Sequence, residues 1–263
     1  MKGSSGRSSI PETLVIEPRS RGVLDTPLEP VIGLAEGETR WRGMTVICVE
    51  RQTPMILIGQ YDSPFVRRVA IAMRLYGIAF EHRPWSTFGD ADKIAAYNPL
   101  RRVPTLVLDS GEALIESAMI LDYLDDRVGP EKAMIVRSGE ARWRHLRICA
   151  LAMGLGDKGV SLLYERVLRK EKQLDLWVER CKSQISGVLD VLEKERAAVK
   201  TPYWSGEKIG HADIAVACVL RFTGEAHPAL FDARYPALKA HSERCEALPP
   251  FQEIVQPLAP PKG

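Results

Sequence analysis

The segment YDSPFVRRVAIAMRLYG, residues 61–77, predicts an amphipathic helix with a marked beginning and end. Ser63 followed by Pro64 is a favourable N-cap with proline at the first helical position. Gly77 is typical of the left-handed residue that follows a helix. The apolar residues between them recur at the i, i+3, i+4 and i+7 spacing of an amphipathic helix: Val66, Val69, Ala70 and Met73.

Short apolar segments around this helix predict a small sheet, with a second helix over residues 116–128 and a helical turn within 91–97. We expect strands at residues 55–61, 78–83, 103–108 and 113–115. A helix joins the first two strands, which should be parallel, and the tight turn DSGE joins the last two, which should be antiparallel. This order of elements indicates a thioredoxin-like α/β domain.

The chain after Gly129-Pro130 shows helical periodicity only. Helices are predicted over residues 139–155, 160–172, 173–199, 211–226 and 236–248. The segment 211–226 is apolar almost all round, so we expect it to be the buried central helix of an all-α domain.

Residues 1–54 differ from the rest because they are rich in glycine, serine and proline and lack periodicity. We interpret them as a disordered or loosely ordered extension, with Met55 as a candidate natural start. The predicted organisation is this extension over residues 1–54, a thioredoxin-like domain over 55–130 and an all-helical domain over 138–263.

The composition excludes several classes of protein. The chain has 263 residues, 45% of them hydrophobic, and a net charge of +2 from interleaved acids and bases, so neither nucleic acid nor a membrane is an expected partner. The chain contains no run of ~18 apolar residues, so no transmembrane helix is predicted. The five cysteines are scattered without CxxC or CxxH spacing. We therefore expect buried thiols in a reducing compartment and no metal site.

Ser63 occupies a position where ligands bind in open α/β sheets, at the C-terminal end of the first strand. The start of the following helix favours an anion there. In a thioredoxin-like fold a reactive cysteine normally lies at this point. A serine hydroxyl can instead donate a hydrogen bond to the thiolate of another molecule and lower its pKa. An ordinary helix cap is the alternative.

Two further pairs of residues could bind the same ligand. A cis Val103-Pro104 bond would turn the Val103 backbone towards a peptide-like ligand, whereas a trans proline at a strand edge is the alternative. The Glu116-Ser117 pair at the next helix could hold an ammonium group and a carboxylate, or could simply cap the helix. Glutathione combines a thiol, a peptide backbone and an amino-acid head, and would satisfy all three positions.

The segments SPFVRRVAIAMRLYGIAFE and NPLRRVPTLVLDSGEALIESAMILDYLDD resemble the N-terminal domain of cytosolic glutathione S-transferases. The likeness is nearest to the serine-type tau and zeta classes and their bacterial relatives, and covers roughly residues 55–126. GEKIGHADIAVA and LPPFQEIV resemble the helical C-terminal domain less sharply. The resemblance implies a thioredoxin-like domain followed by an all-α domain, in a cytoplasmic homodimeric enzyme of detoxification.

The resemblance implies that Ser63 is the catalytic residue that activates the glutathione thiol. Tyr61 and Arg68 are possible further members of the site, although Arg68 could equally be a surface or ion-pair residue. In the helical domain Gly210 replaces the Ser or Thr that usually precedes the motif of Asp213. Because glycine offers no side-chain oxygen, we expect a weaker cap there, with Asp213 as a folding element.

The resemblance also assigns the glutathione-binding residues. Phe65 would shape the pocket, and Arg102 would lie near the glycine carboxylate. Val103-Pro104, with the proline cis, would pair with the cysteinyl backbone. Glu116-Ser117 would hold the γ-glutamyl end.

The implied activity is attack of the glutathione thiolate on a small-molecule electrophile, with glutathione as co-substrate and no metal. The alternatives are a glutathione-dependent isomerase, whose Ser-Ser-Cys signature is absent at residues 62–64, and a non-catalytic binding or regulatory protein. The second substrate would lie between the two domains. Candidate residues for its pocket are Trp85, Phe88, Trp143, Met153 and Tyr164, with a place in the core as the commoner alternative for each.

Overall fold

The structure is a computed structural model that describes residues 54–261. The predicted extension over residues 1–54 lies, except for its last residue, outside the described part of the chain. The strands are β1 Met55–Ile58, β2 Phe80–Arg83, β3 Thr105–Val107 and β4 Ala113–Ile115. The helices are α1 Pro64–Leu75, α2 Ala91–Ala95, α3 Ser117–Val128, α4 Glu140–Leu168, α5 Asp175–Ala198, α6 His211–Ala226, α7 Pro236–Glu246 and α8 Pro249–Glu253, with a short 3₁₀ helix at Lys170–Lys172.

The four strands form one mixed sheet in the order β2-β1-β3-β4. β1 and β2 are parallel, whereas β3 pairs antiparallel with both β1 and β4, so the predicted strand directions are confirmed. Because alternate residues face opposite sides, Leu57 and Leu106 pack with α1 and α3, whereas Ile58 and Val107 pack with Ile94 of α2. Helices thus cover both faces, as expected for a thioredoxin-like domain.

One prediction about the helical part is wrong. α4 is a single helix of 29 residues, where the sequence predicted two helices separated between residues 155 and 160. Two glycines in that interval mark close packing and not a break. A Cβ atom at Gly156 would lie 3.2 Å from Val219 Cγ1, and one at Gly159 would lie 2.9 Å from Phe222 Cε1. α4 and α6 approach this closely because both positions lack a side chain.

α6 is the buried central helix, as predicted, since every residue from 211 to 220 is buried. Ile214 and Ala217 pack with α1 and α3, whereas Val216 and Leu220 pack with α4 and α5. The division into domains over residues 55–130 and 138–263 stays a prediction. Among the described residues, no helix is both long enough and apolar enough to span a bilayer.

The start of α6 is capped by a side chain from another helix. Gly210 has no side chain to offer, and the carboxylate of Asp213 accepts a hydrogen bond from the Gly210 N–H (2.9 Å). His145 Nε2 on α4 accepts from the N–H of Ala212, the second residue of α6 (2.8 Å). A Cβ atom at Gly210 would lie 2.6 Å from His145 Cε1. The imidazole therefore replaces the missing hydroxyl, and the expected weakness of this cap is offset.

The cap from His145 should make stability depend on pH. Burial, followed by the neighbouring His211, lowers the pKa of His145 to about 4, whereas a histidine in an unfolded chain titrates at ~6.5. Between pH ~6.5 and about 4, His145 is therefore protonated in the unfolded chain and still neutral in the folded chain. The contribution of His145 to the free energy of unfolding decreases over that window.

We expect His145→Ala to lower the free energy of unfolding by about 1–3 kcal/mol near neutral pH, because it leaves the Ala212 N–H without an acceptor. His145→Gln can keep the acceptor and does not titrate. Any amount by which its free energy of unfolding falls below that of wild type near neutral pH should therefore shrink or reverse at about pH 5. Urea unfolding of the three proteins at both pH values measures this. A stability difference between wild type and His145→Gln that stays constant with pH would contradict it.

Candidate active site

A cavity of about 490 Å³ opens beside the N-terminus of α1. Its wall combines the start of α1, the loop after β2, the loop before β3 and one side of α4. Residues of the C-terminal segment complete it. Ser63 lies on this cavity, so the residue that the sequence marks as the helix cap also faces a space where a ligand could bind.

Ser63 is the N-cap of α1, with an extended backbone conformation. Its Oγ accepts a long hydrogen bond from the Val66 N–H (3.5 Å), which uses a lone pair and leaves the hydroxyl proton to be donated. The first turn of α1 contains no acidic side chain, so its free N–H groups keep a positive potential, which the Asp62 carboxylate just before the cap reduces. This combination favours an anion, such as a thiolate, beside Ser63.

Phe65 and Val103 line the cavity together with Ser63. The Val103–Pro104 peptide bond is cis, as predicted, while Pro104 is buried and does not line the cavity. Gly59, at the end of β1, makes this arrangement possible. It has φ +129°, and a Cβ atom there would lie 2.5 Å from Val66 Cγ2 and 2.8 Å from Val103 Cβ. A side chain at position 59 would force α1 and the Val103 loop apart.

Arg102 also lines the cavity and lies near two carboxylates. Its guanidinium nitrogens lie 3.5 Å from Glu116 Oε1 and 3.9 Å from Asp157 Oδ1 on α4. All three side chains are more than half exposed, so these ion pairs are weak and can exchange partners when a charged ligand binds. Arg102, which is expected near the glycine carboxylate of glutathione, therefore lies next to Glu116, which is expected near the ammonium group.

The Glu116-Ser117 pair forms the start of α3. Glu116 has φ +67°, in the left-handed region that side chains other than glycine rarely adopt. Such a conformation costs about 1–3 kcal/mol and occurs preferentially at functional sites. Ser117 is the first helical residue and is buried. The turn from β4 into α3 thus holds a carboxylate beside Arg102, while neither Glu116 nor Ser117 itself lines the cavity.

The structure does not bring Tyr61 and Arg68 to the cavity. The Tyr61 ring stacks on His82, with 3.8 Å between ring centroids, and burial raises the pKa of Tyr61 to about 12. Arg68 is only 3% exposed and makes no ion pair with another described residue. The surface alternative for Arg68 is therefore wrong, and no ion pair within residues 54–261 supports the other alternative.

Three of the five residues predicted for the second-substrate pocket line the cavity: Trp85, Phe88 and Tyr164. The rings of Phe88 and Tyr164 meet edge to face with centroids 5.2 Å apart. The predictions for Trp143 and Met153 are wrong. Trp143 lies in a separate groove between α4 and α5, about 30 Å from Tyr164 along the continuous helix α4. Met153 packs against the core of the helical part.

Sequence reasoning named Tyr164 but missed the rest of the side of α4 that faces the cavity. Its members follow helical spacing: Asp157, Val160, Ser161 and Tyr164. That signal is visible only when residues 155–160 are taken as helix. Phe222 of α6 and the C-terminal segment around residues 258–261 were also missed. Nothing in their local sequence pattern points to a cavity.

The thiols of the described chain lie away from the cavity. They are all buried and free, as expected: Cys149, Cys181, Cys218 and Cys245. Cys245 Sγ lies 3.6 Å from His241 Nε2, but burial raises the pKa of this thiol far above its usual value. Within residues 54–261 no three His, Cys, Asp or Glu side chains are placed to hold a metal ion.

Two family models match the chain. The model for the glutathione S-transferase N-terminal domain matches residues 57–132, and the model for the C-terminal domain matches residues 175–244. Among individual proteins, the uncharacterized GST-like protein YibF of Escherichia coli (strain K12) is 33% identical over 171 residues. The aligned part covers 64% of this chain and 81% of YibF.

Solved structures show the same likeness. A glutathione S-transferase from Methylobacterium radiotolerans, in complex with glutathione sulfonate, is 27% identical, with a TM-score of 0.73 over 79% of this chain and 97% of that one. A glutathione transferase family member from Pseudomonas fluorescens Pf-5, with bound glutathione, is 32% identical, with a TM-score of 0.68 over 78% of this chain and 100% of that one. Together with the two domain matches, these likenesses show that the chain belongs to the glutathione S-transferase family.

Proposed function

We propose that the protein is a glutathione transferase, which binds glutathione and activates its thiol for attack on an electrophilic small molecule. The observation that carries the proposal is the position of Ser63 at the start of α1, on a cavity that Phe65, Arg102 and Val103 also line. The glutathione and glutathione sulfonate bound to two structural relatives support this choice of ligand.

Ser63 is the catalytic residue in this proposal. It donates its hydroxyl hydrogen bond to the ligand's sulfur, while the first turn of α1 adds positive potential. A free thiol has a pKa of ~8.5, and lowering it by about two units, or ~2.7 kcal/mol, leaves most of the bound thiol ionised near neutral pH. A hydrogen bond to a charged group contributes about 1.5–3 kcal/mol, which is sufficient. Bound glutathione would supply the sulfur nucleophile after its thiol proton passes to solvent. The new S–C bond would form as a halide leaves, as an epoxide C–O bond opens, or as an activated alkene gives up its π bond and takes a proton from solvent.

Three parts of the site hold the rest of the tripeptide. The backbone of Val103, before the cis Pro104, pairs with the cysteinyl residue. Glu116 binds the α-ammonium group, and Ser117 binds the neighbouring carboxylate. Arrival of the ammonium group displaces the guanidinium of Arg102 from Glu116, and Arg102 then binds the glycine carboxylate.

Glu116→Gln should weaken glutathione binding about tenfold, because it removes one charge-assisted contact. The pKa of the bound thiol should stay the same, because Glu116 acts on the amino-acid head and not on the sulfur. Calorimetry and thiolate absorbance measure the two quantities separately. Glu112→Gln, in the exposed turn before β4, is the matched control. A change in thiol pKa as large as the change in affinity would contradict the assigned role.

The part of the cavity beyond Ser63 is mainly apolar, which favours an apolar electrophile and supports a role in detoxification. Its side chains include Phe88, Val160, Leu163, Tyr164 and Phe222. Because the wall formed by these side chains carries no charge, selection of the group that packs against it should depend on size and shape.

The test is to titrate glutathione bound to the protein by thiolate absorbance, and to assay conjugation of aryl halides, epoxides and activated alkenes. We expect a bound thiol with a pKa well below the free value, and conjugation of apolar members of the panel. Isomerisation of an activated alkene without consumption of glutathione would support the isomerase alternative. Binding without any reaction would support a non-catalytic role, and absence of binding would overturn the proposal.

We propose further that the protein is a cytoplasmic homodimer. Exposed apolar side chains on neighbouring helices support a dimer: Met119 on α3, and Trp143 and Leu146 on α4. Arg142 of α4 lies 3.3 Å from Asp122 of α3, so these side chains belong to one region of the surface. The free cysteines of the described chain are typical of a reducing compartment.

A further inference from the structure

The chain after α8 has no regular secondary structure over residues 254–261, a segment that we call the C-terminal strap. Its first residue is firmly anchored. Ile254 is 1% exposed, and its carbonyl oxygen accepts a hydrogen bond from Arg67 Nε (2.8 Å). Arg67 also donates to the carbonyl oxygen of Phe251 (2.9 Å) and to both carboxylate oxygens of Glu246 (2.6 and 2.7 Å). A buried guanidinium of α1 therefore fixes the beginning of the strap.

The other end of the strap is attached beside the cap of α1. The Ala259 N–H donates to Asp62 Oδ2 (3.0 Å), and the Leu258 N–H donates to Glu225 Oε2 of α6 (2.8 Å). Two consecutive backbone amides thus bind carboxylates from two different parts of the fold. Both contacts lie at the exposed surface, where water weakens them, and together they hold the strap at residues 258 and 259.

The attached end of the strap forms part of the cavity. Leu258, Ala259 and Pro261 line it together with Ser63. All three strap side chains are apolar, and they meet the same space as Leu163 of α4. A group bonded to a sulfur held by Ser63 would therefore extend into a region that the strap bounds.

We propose that Asp62 is a positioning residue, which fixes the strap as one wall of the electrophile pocket, and that the strap thereby limits the size of the apolar group attached to sulfur. This inference rests on the proposed function, because it requires glutathione to be held at Ser63. Asp62 directly precedes Ser63, so the turn that presents the hydroxyl also presents the carboxylate that holds the strap. Ser63 thus positions the sulfur nucleophile, and Asp62, the residue before it, limits the size of the electrophile by holding the strap.

The test compares the affinities of glutathione and S-hexylglutathione for four proteins: wild type, a chain that ends at Pro257, Asp62→Ala and the exposed α8 variant Gln252→Ala. Glutathione affinity should change less than about twofold in the shortened chain and in Gln252→Ala. Asp62→Ala also removes a carboxylate from the cavity, so its affinity for S-hexylglutathione is compared with its own affinity for glutathione. The gain in affinity that the hexyl group provides should fall about tenfold in the shortened chain, because roughly two methylene groups lose their apolar wall. Asp62→Ala should lose part of that gain, and Gln252→Ala none.

Kinetics add a readout that a purely structural role would not change. In the shortened chain the KM for a small apolar electrophile should rise, while kcat and the KM for glutathione stay the same. The kcat/KM for bulkier electrophiles should rise relative to that for small ones. The shortened chain keeps Ile254 and its Arg67 anchor, so it should fold. If Asp62→Ala fails to fold, Asp62→Leu tests the loss of the same acceptor, and Glu225→Ala tests the neighbouring attachment of Leu258 to α6.

The outcomes separate the two proposals. If the wild type does not bind glutathione, the proposed function is wrong. If all proteins bind glutathione equally and the hexyl gain is the same in the shortened chain, the strap proposal is overturned while the proposed function stands. A hexyl gain that falls in the shortened chain but not in Asp62→Ala or Glu225→Ala would keep the wall and overturn the role of Asp62.

Discussion

Ser63→Ala is expected to raise the pKa of bound glutathione's thiol by about one to two units and to reduce kcat/KM near neutral pH about 10- to 100-fold. The variant loses the one hydroxyl that lies at the start of α1 on the cavity. Glutathione affinity should change little, because Arg102, Val103 and Glu116 hold the rest of the tripeptide.

The pH profile makes this prediction specific. Above the pKa of the free thiol, the sulfur is ionised in both proteins, so the rates of wild type and Ser63→Ala should converge. Because the Ser63 Oγ also accepts from the Val66 N–H, the variant should lose about 1 kcal/mol of stability, and the assays belong well below its melting temperature. Ser63→Thr keeps a hydroxyl and is the matched control. Parallel pH profiles for Ser63→Ala and wild type would remove Ser63 from the catalytic role.

Two neighbouring arginines of α1 should respond in opposite ways to replacement by methionine. Arg67 and Arg68 are both almost fully buried, at 2% and 3% exposure. Arg67→Met should lower the free energy of unfolding by about 3–5 kcal/mol, because it breaks a buried ion pair with Glu246 and leaves two buried carbonyl groups without their donor. This is the largest stability effect that we expect from a single substitution.

Arg68→Met should instead raise the free energy of unfolding by about 1–3 kcal/mol. Among the described residues, Arg68 Nε and Nη1 have no hydrogen-bond partner, and burial lowers the pKa of this guanidinium. Methionine fills a similar space without an unsatisfied donor. Urea unfolding at neutral pH measures both variants, with Arg74→Met as the control, since the Arg74–Glu253 pair is exposed and should contribute less than about 1 kcal/mol. Equal losses for Arg67→Met and Arg68→Met would refute the distinction.

Local signals explain which features could be predicted from the sequence. The helix α1, its cap at Ser63, the strand directions and the turn at Glu116 depend on neighbours within a few residues. The cis bond before Pro104 was predicted because proline has no N–H to donate to a strand ladder. These features and the family pattern together located Ser63, Phe65, Arg102 and Val103, whereas most of the other residues around the cavity were not predicted.

The remaining features depend on contacts between distant segments. Glycine lowers helix propensity, so the continuity of α4 became evident only when Gly156 and Gly159 were found against α6. Arg67 and Arg68 are indistinguishable in the sequence, yet successive helical residues point about 100° apart and meet different surroundings. The strap has no periodic pattern in its own sequence. Its position depends on the carboxylates of Asp62 and Glu225, which lie far away in the chain.

The left-handed backbone at Glu116 has a consequence for anyone who engineers this protein. Glycine would relieve the strain there, so Glu116→Gly is the kind of change that heat-based selection enriches. The same exchange deletes the carboxylate that we assign to the ammonium group of glutathione. Libraries screened for heat resistance alone would therefore drift towards robust proteins with poor ligand affinity, whereas screening in the presence of the tripeptide would retain the acidic residue.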